Sequence, residues 1–289
     1  MKIDENHILQ GNVRWRRSPN HSGLITGGEP DTVVIHYTGG GTLDGALNTL
    51  CNPSVSASAH IVIGREGEVV QLVPFNTIAW HAGKSHHEET GRSGLNKFSV
   101  GIELVNAGPM DQVGEDRYMT WFQKIYPGEE VISATHKNQN ELKYWHLFTE
   151  IQVEMCFKIC SLLKEHYPIK YILGHDEISP DRKIDPGPAF NMERFREKLL
   201  FTGRDDESGD FHDLQALEAE SKAFVNAYFL NVRSGPHFKN DLVKGGPIEL
   251  GTEVRIVSKS DKWCEVIVVD SDIKGWVNGK YLSKEKNQA

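Results

Sequence analysis

His36, His175 and Asp185 are the residues with which this sequence could hold a catalytic metal ion. His36 closes the apolar run Thr32-Val33-Val34-Ile35 and is followed by Tyr37-Thr38-Gly39-Gly40-Gly41, a loop signature. His175 follows a short apolar segment and Gly174, and it opens a loop rich in charge and proline. That loop runs Asp176-Glu177-Ile178-Ser179-Pro180-Asp181-Arg182-Lys183-Ile184-Asp185-Pro186-Gly187 and brings Lys183 and Asp185 back near His175. Two imidazoles and one carboxylate make a three-ligand set for catalytic zinc, with the fourth position open to water. A third segment, Ser99-Val100-Gly101-Ile102-Glu103-Leu104-Val105, places a carboxylate inside an apolar strand. A histidine closing an apolar strand is more often a rim or core residue than a ligand. Residue types alone therefore leave the metal reading and the structural reading both open.

The elements that must position these groups read as an α/β arrangement. Thr32–Ile35 is a buried strand, and residues 43–50 form a short helix. Ala59–Ile63 and Glu68–Val73 are two strands joined by Gly64-Arg65-Glu66-Gly67 in a hairpin pattern. Residues 109–140 are polar and irregular, with Pro109, Gly114, Pro127 and Gly128, and read as a surface insertion. Apolar residues at helical spacing predict one long amphipathic helix from Leu142 to His166. A strand over Ile169–Leu173 and a closing helix over 191–200 complete this part. Interleaved strands and helices predict a mixed central sheet flanked by helices. Among the other histidines, His60 faces the interior of its strand, while His86, His87, His136 and His212 lie in polar stretches and read as solvated.

The 289 residues suit two domains, and the formal net charge of −8 argues against non-specific nucleic-acid binding. No apolar run approaches the ~20 residues of a membrane span. The polar N-terminus, MKIDENHILQGNVRWRRSPN, lacks an apolar h-region, so the cytoplasm is the expected location. Export to the cell wall by a signal-independent route is the alternative. Cys51, Cys156, Cys160 and Cys264 show no CxxC pair and no disulfide spacing. The charged, glycine-containing stretch 203–210 predicts a linker, with 211–222 helical. The expected division is 1–202, a linker at 203–222, and a small all-β domain at 223–285.

Several short motifs occur in one order. They are Val34-Ile35-His36-Tyr37, Ser58-Ala59-His60, Val69-Val70-Gln71-Leu72-Val73-Pro74-Phe75, Ala79-Trp80-His81-Ala82-Gly83, Ser99–Glu103, Gly174-His175 and the run ending Lys183-Ile184-Asp185-Pro186-Gly187. Through them residues 32–200 resemble the amidase-2 family of N-acetylmuramoyl-L-alanine amidases, related to peptidoglycan recognition proteins, and most of all its anhydro-muropeptide recycling branch. The resemblance implies zinc held by His36, His175 and Asp185, with Glu103 and Lys183 as catalytic residues. Many relatives carry cysteine at the Asp185 position, and phage-type relatives place a tyrosine where this chain has Ala59. The implied substrate is peptidoglycan or a muropeptide, cut between the lactyl group of muramic acid and L-alanine. A non-catalytic muropeptide-binding protein is the competing reading, although such relatives have typically lost a zinc ligand. Tyr37, Trp80, His81, Arg92 and Asn96 are candidates for substrate contact.

In the C-terminal part, Phe229-Leu230-Asn231-Val232-Arg233-Ser234-Gly235-Pro236 resembles the opening of bacterial SH3-like domains. Trp263–Val266 and Lys274–Leu282 resemble their closing strands. The resemblance implies a small barrel that binds cell-wall peptide or serves as a structural module. Trp263 and Trp276 are either a binding face or core, and core is the better expectation for at least one.

Overall fold

The run Thr-Val-Val-Ile-His-Tyr cannot sit at a surface: its β-branched and apolar residues need cover on both faces. In the computed structural model it is strand β2 (Thr32–Tyr37), buried along all but its last residue. The structure describes residues 1–201, 221–226, 229–237, 240–249 and 251–284. The chain divides into two compact units, Met1–Phe201 and Thr202–Ala289.

The first unit is built on a six-stranded mixed sheet. Its members are β1 (Val13–Trp15), β2, β3 (Ile61–Ile63), β4 (Val69–Gln71), β5 (Ser99–Leu104) and β11 (Tyr171–Gly174), in the order β11-β2-β5-β3-β4-β1. β11, β2, β5 and β3 run parallel, and β3 turns back antiparallel into β4 through the expected Gly64–Gly67 hairpin. Helix α1 (Leu43–Leu50) buries Ala46, Leu47 and Leu50 in a cluster with Val62, Val70 and Leu72. Parallel strands need such cover because every crossover carries backbone across a face of the sheet.

Two expectations fail here. Residues 109–140 are not an irregular insertion. Together with the next few residues they form a five-stranded antiparallel sheet: β6 (Pro109–Gly114), β7 (Arg117–Met119), β8 (Ile125–Pro127), β9 (Val131–Thr135) and β10 (Leu142–His146), in the order β8-β7-β6-β10-β9. Nor is Leu142–His166 one helix. Leu142–His146 pairs with Val131–Thr135, and α2 begins only at Glu150. The start is set by a capping box, in which Thr149 accepts from the Gln152 backbone N–H and the Gln152 side chain accepts from the Thr149 N–H. Gln152 Nε2 also donates to the Val105 carbonyl at 3.0 Å, which ties α2 (Glu150–His166) to the end of the Glu103 strand.

α3 (His175–Ile178) and α4 (Met192–Phe201) close the unit. His60 is fully buried as expected, donating from Nε2 to the Thr77 carbonyl and accepting at Nδ1 from Gly101 N–H. His136 is a correction: it is 1% exposed and donates from Nε2 to Asp176 Oδ2 at 3.0 Å. His87 is also buried, His86 is exposed, and His212 lies outside the described residues. All four cysteines are free.

The second unit holds a five-stranded antiparallel sheet of β12 (Lys222–Val225), β13 (Glu253–Ser260), β14 (Trp263–Val268), β15 (Lys274–Asn278) and β16 (Leu282–Ser283), in the order β15-β14-β13-β12-β16. A shorter pair joins Phe229–Leu230 to Ile248–Glu249. Ala223, Val225, Leu230, Val254, Ile256, Val266 and Val277 alternate inward to make its core. Trp263 is buried and Trp276 is half-buried. The expected linker at 203–210 and most of the expected helix at 211–222 lie outside the described residues. Among those residues no helix is long and apolar enough to cross a membrane.

Candidate metal centre

Register brings the candidate residues together. On the parallel pair β2 and β5, Glu103 stands directly opposite His36, and on β2 and β11, Gly174 stands opposite Ile35. His175, one residue on, therefore falls level with His36. Adjacent strands lie about 4.8 Å apart. His175, His36 and Glu103 thus form a row across the carboxyl ends of three neighbouring parallel strands, the usual place for a site on such sheets.

The loop after α3 returns Asp185 to this row, held by a bond from Asp176 N–H to the Asp185 carbonyl at 2.8 Å. Three atoms then converge. His36 Nδ1, His175 Nδ1 and Asp185 Oδ2 stand 2.9 Å from one another. All three residues are buried.

The tautomers follow from the surrounding bonds. Ser99 Oγ donates to the Leu95 carbonyl at 2.7 Å, so it accepts from His81 Nε2–H at 3.1 Å. His81 Nδ1 is then an acceptor, and His36 Nε2–H donates to it at 3.0 Å. His175 Nε2–H donates to the Ala82 carbonyl at 3.2 Å. Both Nδ1 atoms therefore turn bare lone pairs toward a carboxylate oxygen. Three acceptors facing one another repel unless a cation sits among them, so the donor set fits a metal ion and leaves little else to satisfy it.

Burial lowers His36 to about 4, with His175 adding to the effect and Asp185 opposing it. Burial raises Asp185, but its contacts with His175 and His36 outweigh this and hold it well below the usual carboxylate range. His36 is thus neutral and Asp185 ionised near neutral pH, which suits both to bind a dication.

Glu103 differs from Asp185. Its Oε2 is buried without a hydrogen-bond partner. Burial, followed by the charge of Asp185, raises its carboxyl to about 8, while Lys183 pulls it down. Lys183 also lowers His36, so its ammonium bears on both sides of the site.

The family model described as N-acetylmuramoyl-L-alanine amidase (Amidase_2) matches residues 26–188, more than half of the chain. The chain belongs to this amidase family. Among its curated relatives, the 1,6-anhydro-N-acetylmuramyl-L-alanine amidase AmpD of Enterobacter cloacae is 31% identical over 209 residues, covering 66% of this chain and 91% of the relative. AmpD of Escherichia coli (strain K12) is 36% identical over 141 residues, 48% of this chain and 56% of the relative, so that match spans about half of the relative's length. A crystal structure of a selenomethionine AmpD derivative matches with 28% identity and a TM-score of 0.49, covering 69% of this chain and 99% of that one.

In this amidase-family chain the five residues expected to touch substrate are placed unequally. Tyr37 follows His36 and is half-buried; burial first, then the charges of Asp185 and Glu103, push its phenol far above the ordinary range. Trp80 is half-buried, and its Nε1 donates to Ser22 Oγ at 2.8 Å. His81 is buried behind His36 with both ring nitrogens engaged by protein. Asn96 Oδ1 accepts from His81 N–H and Ala82 N–H at 3.1 and 2.7 Å, which shapes the backbone under the cluster. Arg92 pairs with Asp31 at 2.8 Å, at the start of β2 and so at the opposite end of the strand from His36.

Sequence reasoning missed the relay through Ser99 and His81. A glycine inside a strand was the available signal. A Cβ at Gly101 would come within 2.6 Å of His81 Nδ1, so only glycine admits the ring. Ser99→Ala should leave the fold intact and strand the His81 N–H. Outer-shell losses of this kind typically cost about 10–100-fold in metal affinity. Competition with a chelator of known affinity measures the change, and an unaltered zinc Kd would remove the relay from the account.

Proposed function

We propose that the chain is a zinc-dependent N-acetylmuramoyl-L-alanine amidase that hydrolyses the amide between the muramic acid lactyl group and L-alanine of muropeptides. The observation that carries this reading is the convergence of His36 Nδ1, His175 Nδ1 and Asp185 Oδ2 on one point, in a row with Glu103, whose Oε2 is buried without a hydrogen-bond partner. The names of the AmpD relatives support a 1,6-anhydro-muropeptide as the substrate class.

His36, His175 and Asp185 would hold zinc, which when bound would supply Lewis acidity to the reaction. The protein does the rest. Glu103 takes a proton from the attacking water and later delivers it to the leaving amine of L-alanine. A carboxyl raised by burial suits both halves of that task, because it holds a proton readily and gives it up near neutral pH. The Lys183 ammonium stabilises negative charge on the carbonyl oxygen as the tetrahedral intermediate forms. Mass spectrometry of a soluble anhydro-muropeptide digest tests the reaction: the intact stem peptide beginning at L-alanine should appear, and cleavage at any other bond would contradict it.

We read the second unit as an SH3-like barrel joined through a linker at 203–222, and the catalytic unit as complete before it. Its antiparallel five-stranded sheet and alternating core support this reading. A chain ending at Gly203 should fold, bind zinc and cleave the soluble muropeptide within a few-fold of the full chain. Its rate on intact sacculi should fall if the barrel tethers enzyme to polymer. Equal losses on both substrates would instead make the second unit part of the catalytic apparatus.

A further inference from the structure

Trp121 is 77% exposed, the most exposed of the large hydrophobic side chains among the described residues. Exposure here is not looseness. Its Nε1 donates to the Gly39 carbonyl at 2.8 Å, and its ring meets Phe122 edge-on with centroids 5.4 Å apart. The turn that carries it, between β7 and β8, is itself pinned by Thr120 N–H to the Lys124 carbonyl and Gln123 N–H to the Thr120 carbonyl, both at 2.9 Å. Behind it, Phe122 and the Tyr126 hydroxyl pack against Gly41, where an added Cβ would come within 3.3 and 3.1 Å of them.

Gly39 and Gly41 belong to the loop by which the chain leaves His36. Gly39 is three residues from His36, so their Cα atoms are at most about 11 Å apart. The antiparallel lobe therefore rests one indole on the loop by which the chain leaves the metal ligand His36, with its polar N–H already satisfied by backbone. A tryptophan so fixed offers a large flat apolar surface at little entropic cost.

From this placement we propose that Trp121 is the sugar platform of the site, stacking on the apolar face of the muramic pyranose while the lactyl carbonyl reaches the metal cluster. The inference rests on the amidase reading above. Substrate chemistry selects the sugar over the stem peptide. The pyranose ring lies only a few bonds from the scissile carbonyl and presents a C–H face. The stem is acyclic and anionic, and the tip of the turn, Thr120-Trp121-Phe122-Gln123, carries no charge to meet it. The nearest lysine in sequence, Lys124, lies over the Tyr126 ring at 4.5 Å.

The test uses full-length, zinc-loaded chain made inactive by Glu103→Gln, with and without Trp121→Ala or Trp121→Phe. Two ligands are titrated calorimetrically: N-acetylmuramyl-L-alanyl-D-isoglutamine, and the same lactyl dipeptide without the sugar. Trp121→Ala should weaken the sugar-bearing ligand about five- to tenfold. It should leave the sugar-free ligand unchanged, and Trp121→Phe should retain most of the affinity. Equal weakening of both ligands would make Trp121 a peptide contact and overturn the proposal. So would no weakening of either, including the case where Trp121→Ala only abolishes self-association. If the Glu103→Gln chain binds neither ligand, the amidase reading itself fails and the platform falls with it.

Discussion

Glu103→Gln should abolish most activity and, in the metal-free chain, make the protein more stable. The loss follows from removing the proton carrier while all three ligands remain. General-base removal commonly costs about 10²–10⁴-fold in rate. The gain follows from linkage. Burial raises the folded-state carboxyl from 4.5 to about 8, so the folded chain binds more protons than the unfolded chain across that window. Stability contributed by this group is present below about 4.5 and is lost as pH rises toward 8. Gln keeps the shape without the charge, so at pH 8 it should stabilise by about a few kcal/mol. Urea midpoints of the two metal-free chains at pH 5 and pH 8 read the effect, which should be small at pH 5 and large at pH 8. A residue with only a packing role would not show this dependence. In the wild-type chain the rate should fall as pH drops through the Glu103 pKa. Lys183→Met should move that limb to higher pH, because the ammonium lowers the carboxyl. A near-normal rate in zinc-loaded Glu103→Gln would remove Glu103 from the mechanism.

Asp185→Ala should have the other large effect. Asp185 is the only charged member of the ligand set, and its oxygen stands 2.9 Å from each imidazole Nδ1. Its loss removes a third of the ligands and the negative charge that draws the cation. Zinc affinity and activity should fall together by several orders of magnitude. Metal-free stability alone does not report on the ion, because Asp185 also contacts both imidazoles directly. The diagnostic result is therefore a loss of zinc-dependent stabilisation. Wild-type Tm should rise on adding zinc, by linkage of binding to folding, and the variant's should barely move. An undiminished shift in the variant would place the metal elsewhere.

Much of this site was legible in the sequence, for a physical reason. A strand needing cover on both faces, ending in His36, and a charged proline-rich loop opening with His175 are local patterns. What the sequence hid were relations set by register and by long-range partners. Nothing local says that Glu103 faces His36 across β2 and β5. His81 was expected at the substrate, and its ring fills the space left by Gly101 behind His36. His136 was expected in solvent because its neighbours are polar, and it is buried against Asp176 on a different element. The antiparallel lobe at 109–146 was missed for a related cause. Its strands are short and polar on one face, and they are defined mainly by pairing with one another. Leu142–His146 carries helix-compatible spacing, but its partner Val131–Thr135 takes it as a strand.

The central claim is that one metal ion at His36, His175 and Asp185 makes this chain an amidase. The most direct test is to strip the full-length protein with a chelator, add zinc back in measured increments, and follow cleavage of a soluble anhydro-muropeptide. Activity should be absent at the start, rise in proportion to zinc, and level off at about one equivalent per chain. Full activity in verified metal-free protein, or no activity once one equivalent is bound, would contradict the account.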